Sequence, residues 1–364
     1  MAAGAGLAVL AAGCGQATGR LALNAGAPGA AGGSTGMPGT SGLVTPGSGS
    51  GASSPSASSS PSASSGVTGS SALFGGDSEL VPQQGKLGRT LAIVRVYYFI
   101  GQEFPAYSSR YMAAGSTLLV SLDSSGPSYA AIAAGDQDGP IRTFLDAVNH
   151  AAYQYHLGAI YISFEHEPDN VHHASLGDAA DYVRAWDHIH QLAVSAHLDW
   201  NDGGRLHWVL IMLHQAYLPI NGSSSYWPGN GEVDVVAADG YNSYACKAER
   251  DHQPVTSAGA ESVTPASVFD PVVSFAASHG RLPVFIAEWG SDINPAGIQA
   301  WFIREMQSYL AANPVIRAAM YWDTAGQPSE GVVCNYNVDN NATSVSALAA
   351  LGHTAMMQAS VSHS

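Results

Sequence analysis

The chain has 364 residues, with 13 Lys and Arg against 28 Asp and Glu for a formal charge of −15, and it is 46% hydrophobic and 11% charged. That length fits two average domains or one α/β barrel of about 250 residues with an extension. The acidic balance and the lack of a Lys/Arg cluster argue against a nucleic-acid partner or docking on anionic lipid. No run of about 18 apolar residues predicts a membrane-spanning helix.

Residues 1–14 read MAAGAGLAVLAAGC, an apolar stretch of small residues that suits a signal-peptide core and is too short to span a bilayer. Leu10-Ala11-Ala12-Gly13-Cys14 resembles a bacterial lipobox, which implies lipidation of Cys14 and a place outside the cell or on its surface. No Lys or Arg precedes the apolar core; the first basic residue is Arg20. Residues 15–71 follow as a low-complexity linker, uncharged from Leu21 to Gly76 and dominated by Gly, Ser, Ala, Pro and Thr. Such a segment buries too little apolar surface to offset its ordering entropy, so it reads as a disordered stalk. The membrane is then reached only through the lipid anchor.

From residue 72 to 364, short apolar runs alternate with helical patterns. The predicted strands are Ala72–Gly75, Leu91–Tyr98, Thr117–Leu122, Ala159–Phe164, Leu206–Leu213, Val233–Ala238, Leu282–Ala287 and Ile316–Trp322. Several are nearly continuous apolar runs, as expected of parallel strands covered on both faces. Between them, Asp178–His197 repeats apolar residues with a period near 3.6. Gly158 and Gly280 stand between helix and strand patterns, where a left-handed cap is expected. Eight alternating units over this length predict an α/β fold, a (β/α)8 TIM barrel. An open doubly wound sheet would show a glycine-rich phosphate turn after its first strand, and Gly75-Gly76-Asp77 lacks that spacing.

In a barrel, chemistry sits where the strands end. The fourth predicted strand runs into Glu165-His166-Glu167 and the seventh into Glu288-Trp289-Gly290. A carboxylate straight after a buried strand is costly unless it is paired or used. Two of them across one pocket give the acid and the nucleophile or base of glycoside hydrolysis. Glu165 and Glu167 compete for the first role, because alternation puts both on one strand face. Glu167 is favoured as the one nearer the rim and next to His166. Arg95, Tyr97, Tyr98 and Asp123 are further cleft candidates, left unranked against roles in the core. Trp186, Trp208 and Trp301 read as core, whereas Trp227 lies in a loop-like stretch. Cys246 and Cys334 both follow strands, and in an exported protein they form either one disulfide or two buried thiols.

The combination of His166-Glu167, the stretch from Pro228-Gly229 through Val233-Asp234-Val235-Val236 to Asp239-Gly240-Tyr241, and Ala287-Glu288-Trp289-Gly290 resembles glycoside hydrolase family 26, over roughly residues 72–350. The resemblance implies a retaining barrel enzyme acting on a β-linked polysaccharide, an endo-β-1,4-mannanase as the best match, with catalytic glutamates after strands four and seven. It makes Glu167 the acid/base and Glu288 the nucleophile. His166, Tyr241, Trp322 and Trp289 are the substrate-binding candidates: Tyr241 orients the nucleophile and Trp322 supports the sugar. Two departures bear on substrate: Ser163 stands where the family often has Arg, and Val171-His172-His173 replace a tryptophan-rich stretch. No cofactor is called for. Although the chain has 14 His, no zinc-type spacing such as HExxH occurs. A Gly-x-Ser-x-Gly match occurs only at Gly32–Gly36 in the stalk. The expected partner is a β-glycan, and the expected state a monomer. The alternative is a cell-surface glycan-binding protein on a barrel that has lost its activity.

Overall fold

The structure, a computed structural model, describes residues 71–326, 331–339 and 341–360. Cys14 with its lipobox, and the stalk as far as residue 70, lie outside the described residues. Among the described residues no helix is long and apolar enough to cross a membrane.

Eight strands form a closed parallel barrel in sequence order: β1 (Leu73–Gly76), β2 (Ile93–Phe99), β3 (Thr117–Asp123), β4 (Ile160–Phe164), β5 (Leu206–Leu213), β6 (Val235–Asn242), β7 (Val284–Ser291) and β8 (Ile316–Tyr321). With helices between the strands, this is the (β/α)8 TIM barrel that the alternation predicts. Successive strand side chains point to opposite faces, so each strand feeds two cores. Leu73, Ile93, Leu119, Tyr161, Val209, Ile211, Phe285 and Met320 fill the barrel interior. Their neighbours in sequence join a larger layer between barrel and helices, where Trp186 and Trp208 meet edge-on. Both tryptophans are core, as the sequence implies.

The helix Ala179–Ser195 starts where its cap chemistry says it should. The Asp178 side chain accepts from the Asp181 N–H, and Tyr182, Ala185, Trp186, Ile189 and Ala193 form the buried stripe. Gly280 takes the expected left-handed conformation (φ 87°), but at the earlier junction His156 (φ 56°) takes it instead of Gly158. The reversal there comes two residues sooner than the glycine suggests.

The strand Leu206–Leu213 coincides with the sequence reading at both ends, and the other strand ends differ from it by at most four residues, most where the site lies. The strands β6 and β7 each continue four residues beyond their apolar runs, through Asp239–Asn242 and Glu288–Ser291. Polar residues there end the hydrophobic pattern without ending the ladder. A register shift between β6 and β7 pairs Ala238 with Ile286 but Asp239 with Glu288, leaving Ala287 as an extra residue on β7. Such a bulge re-aims the side chains that follow it.

Cys246 and Cys334 form a disulfide with 5.1 Å between Cα atoms. It ties the segment after β8 to the helix Tyr244–Arg250 after β6.

Candidate active site

The bulge on β7 decides where Glu288 points. Phe285 and Ala287 both face the barrel interior, so strict alternation would turn Glu288 outward to the helices. The extra residue instead sets it level with inward-facing Asp239, and Trp289 then takes the outward position.

Glu288 is 2% exposed and is gripped from two strands. Tyr97 on β2 donates to Oε1, and Tyr241 on β6 donates to Oε2. Arg95 on β2 places Nη1 3.0 Å from Oε1 and 2.8 Å from Asp239 Oδ1. Burial opposes the guanidinium charge, yet Asp239 and Glu288 outweigh it and raise the arginine's pKa further. Burial pushes the Asp239 carboxyl well above its ordinary range; Arg95 opposes this, while Glu288 and Glu167 add to it.

Glu167 arrives by a different route. β4 stops at Phe164, and the chain then passes through two left-handed non-glycine residues, Glu165 (φ 45°) and Glu167 (φ 52°). The left-handed region costs an L-residue roughly 1–2 kcal/mol, so other contacts must hold the turn. Glu167 N–H donates to the Ile211 carbonyl at 2.9 Å, and the Asn170 side-chain amide donates to Oε2 at 2.9 Å. One carboxylate oxygen from each of Glu167, Asp239 and Glu288 lies within 4.8 Å of the other two. Asp239 and Glu288 share the Arg95 guanidinium as their cation. Elsewhere among the described residues, Cys246, Asp292 and Cys334 also converge, and there both sulfurs are in the disulfide.

Backbone reversal also separates the two competing glutamates, which alternation puts on one face. Glu165 turns away from the other carboxylates: its Oε2 accepts from Ser124 N–H at 2.8 Å and its Oε1 lies 3.5 Å from His173 Nε2. Burial, then Asp123, raises its pKa to about 8.

His166 is 5% exposed, with Nδ1 3.0 Å from Asp123 Oδ1. Burial disfavours its charge, but the Asp123 carboxylate overrides this and raises the imidazole to about 9. Tyr97 stands between His166 and Trp322, with ring centroids 5.2 Å and 6.0 Å away. Trp322 belongs to a small aromatic group with Tyr241 and Tyr336. Tyr336 stacks on Tyr241 at 4.6 Å and 20°.

Of the sequence candidates, Glu167, Glu288, His166, Tyr241 and Trp322 come together with Arg95, Tyr97 and Asp123. Trp289 does not join them. It is 1% exposed and packs edge-on against Tyr321 at 4.9 Å, in the layer behind the barrel wall. Tyr98 also faces outward, among Phe104, Tyr107 and Phe144. Trp227 is half-buried against Phe275 and His279. Sequence reasoning missed Asp239, Asn170 and Tyr336 as site residues. Asn170 carried no signal, and Tyr336 only its nearness to Cys334.

No protein-family model matches the chain, and no curated protein matches it in sequence. Solved structures do resemble it. A modular endo-β-1,4-mannanase of glycoside hydrolase family 26 from Cellulomonas fimi superposes with TM-score 0.54 at 15% identity, covering 79% of this chain and 71% of that one. The catalytic domain of a family 26 endo-β-1,4-mannanase from Bacillus sp. JAMB-750 gives 0.51 at 14%, covering 79% and 86%. A broad-specificity endoglucanase from Clostridium longisporum gives 0.52 at 12%, covering 75% and 84%. At these identities the likeness shows the shared barrel fold.

Proposed function

We propose that this chain is a retaining glycoside hydrolase that cleaves a β-linked polysaccharide by double displacement. The observation that carries the reading is the approach of Glu167 and Glu288 carboxylate oxygens to within 4.8 Å, with Tyr97, Tyr241 and Arg95 all on Glu288. Retaining enzymes hold their two carboxyl groups about 5–5.5 Å apart, whereas inverting ones leave about 6.5–9.5 Å for a water. A nearest-oxygen approach within 4.8 Å is in keeping with retention. In the first step Glu288 attacks the anomeric carbon as a carboxylate while Glu167 gives its proton to the departing glycosidic oxygen. In the second, Glu167 takes a proton from water, which attacks the same carbon and releases Glu288. Three donors on Glu288 fix its rotamer for in-line attack and need no rearrangement as charge moves. His166, charged through Asp123, offers a donor to a sugar hydroxyl. Trp322 and Tyr97 give the aromatic surface on which a pyranose ring rests.

The mannanases and endoglucanases that share this barrel support β-glycans as the substrate class, and an endo-β-1,4-mannanase activity is our first choice. Ser163 and His173 depart from the mannanase pattern, so the substrate panel must be wider than mannan. The disulfide supports an oxidising compartment, in keeping with export, a lipid anchor at Cys14 and action as a monomer at the cell surface.

The test is reducing-sugar release by the full-length chain from galactomannan, glucomannan, lichenan, xylan and cellulose, with Glu288→Ala alongside. Hydrolysis of one polymer that the variant abolishes is expected. A folded protein that binds a polymer but cleaves none would replace this reading with the glycan-binding one.

A further inference from the structure

Glu165 is a buried acid for which the proposed reaction has no use, and its surroundings show what it does. His173 Nδ1 lies 2.9 Å from the Glu167 carbonyl oxygen. A carbonyl only accepts, so Nδ1 carries the proton. In a neutral imidazole Nε2 is then an acceptor, and the group facing it at 3.5 Å is Glu165 Oε1. A carboxyl answers that acceptor only by carrying its own proton. Burial pushes the His173 imidazole down and Glu165 up to about 8, so both groups favour the same state.

We propose that Glu165 and His173 form a positioning pair for the acid/base. The Glu165 O–H donates to His173 Nε2, and the His173 Nδ1–H donates to the Glu167 carbonyl, holding Glu167 in its left-handed turn. The proposal rests on Glu167 being the acid/base. It assigns Glu165 no contact with substrate. The other Glu165 oxygen accepts from Ser124 N–H, which fixes the carboxyl plane to the end of β3. Asn170 N–H reaches the Glu167 carbonyl as well, at 2.8 Å, so the pair supplies the second of two donors on that oxygen.

The groups that face Glu165 come from every element around it: Asp123 at the end of β3, His166 beside it in the chain, His173, and the phenols of Tyr129 and Tyr182 from the flanking helices. Asp123 raises the carboxyl and His166 lowers it. When Glu165 loses its proton in mildly alkaline solution, a carboxylate faces the bare Nε2 lone pair. The imidazole must then turn away or take up a proton.

The experiment has two arms on the full-length chain. Nitrogen-15 NMR of the wild type at pH 6 should show His173 neutral, protonated at Nδ1 and bare at Nε2. Raising the pH through about 8 should perturb its signals in wild type but not in Glu165→Gln, whose amide donates to Nε2 at any pH. In the second arm, Glu165→Leu should lower kcat about tenfold with KM unchanged, the loss of one hydrogen bond, and Glu165→Gln should restore it. A proton on Nε2 in wild type at pH 6, or full kcat in Glu165→Leu, would overturn the pair. So would a Glu165→Gln variant as inactive as Glu167→Gln, which would make Glu165 the acid itself. The NMR arm uses no substrate, so a wild type that hydrolyses nothing while His173 behaves as stated would count against the glycosidase reading alone.

Discussion

The ends of β4 and β7 each deliver one glutamate to the same buried carboxylate cluster, and they do it by opposite means. At β7 the ladder with β6 continues past Glu288 to Ser291, and β8 pairs on the other side as far as Trp289. The backbone, through the bulge at Ala287, sets the face to which that side chain points, and Tyr97, Tyr241 and Arg95 hold its carboxyl there. At β4 the ladder ends at Phe164, and Glu167 sits in a turn held by side chains from Asn170 and His173. As the proposed nucleophile, Glu288 would act at one fixed point and has a rigid mount. As the proposed acid/base, Glu167 would release a proton and later recover one, and it stands on a turn whose conformation depends on polar contacts. Changes near β7 should therefore act through the Glu288 carboxyl itself, whereas changes near β4 should act at a distance through the turn.

Removing the two carboxyls sharpens that contrast most. Glu288→Ala should lower kcat by roughly 10⁴-fold or more, with no recovery from added donors or bases. Glu167→Ala should lose about 10²–10⁴-fold, and added azide should restore turnover on an activated aryl glycoside and yield a glycosyl azide. Azide rescue of the Glu288 variant with retained configuration would reverse the two roles.

Next come the groups that grip the nucleophile. Tyr241→Phe and Tyr97→Phe each remove one donor to a charged group, worth about 1.5–3 kcal/mol, so each should lower kcat roughly 10- to 100-fold with little change in melting temperature. Breaking the disulfide by Cys334→Ser should instead lower thermal stability, by about 2–4 kcal/mol. It should also reduce kcat modestly, because the tied segment carries Tyr336 onto Tyr241. A Cys334→Ser variant with unchanged stability would show that the loop is held without it.

The smallest effect is a shift with pH. Burial raises Asp77 to about 7 and, with their neighbours, Glu165 and Asp323 to about 8. His166, despite burial, is raised to about 9 by Asp123. Each such group contributes stability below its unfolded pKa that is lost as pH rises through the folded one. His207 and His214 are pushed down to about 4 by burial, so their contribution is lost as pH falls from about 6.5 towards 4. Between about pH 4 and 6.5 the acids and the two histidines oppose one another, and above about 6.5 Glu165, Asp323 and His166 all act in the same direction, so melting temperature should decline steadily from about pH 6.5 to 9. A maximum at pH 8 or above would contradict these assignments.

Much of the fold was legible because parallel strands covered on both faces must be apolar along their length. The runs at Leu206–Leu213 and Thr117–Leu122 therefore announce themselves, and so does the cap at Asp178. The site was legible at Glu288 and His166-Glu167 because charge after such a run is conspicuous. What stayed hidden depends on the third dimension. The bulge at Ala287 leaves no mark in composition, and the left-handed turn at Glu165 and Glu167 uses no glycine. Polar Asp239 and Asn242 looked like loop, yet both stay in the ladder, Asp239 turned to Arg95 inside the barrel and Asn242 bonded to the Ala260 carbonyl. Trp289 drew attention by standing next to Glu288, yet adjacency in a strand means opposite faces.

The central claim is that Glu288 and Glu167 act as nucleophile and acid/base across a retaining separation. The most direct test is proton NMR of the first reducing ends formed as the full-length chain cleaves its preferred polymer, read before the anomers equilibrate. The account predicts the β-anomer first, keeping the configuration of the bond that was cut. The α-anomer appearing first would mean a single inverting displacement and would contradict it.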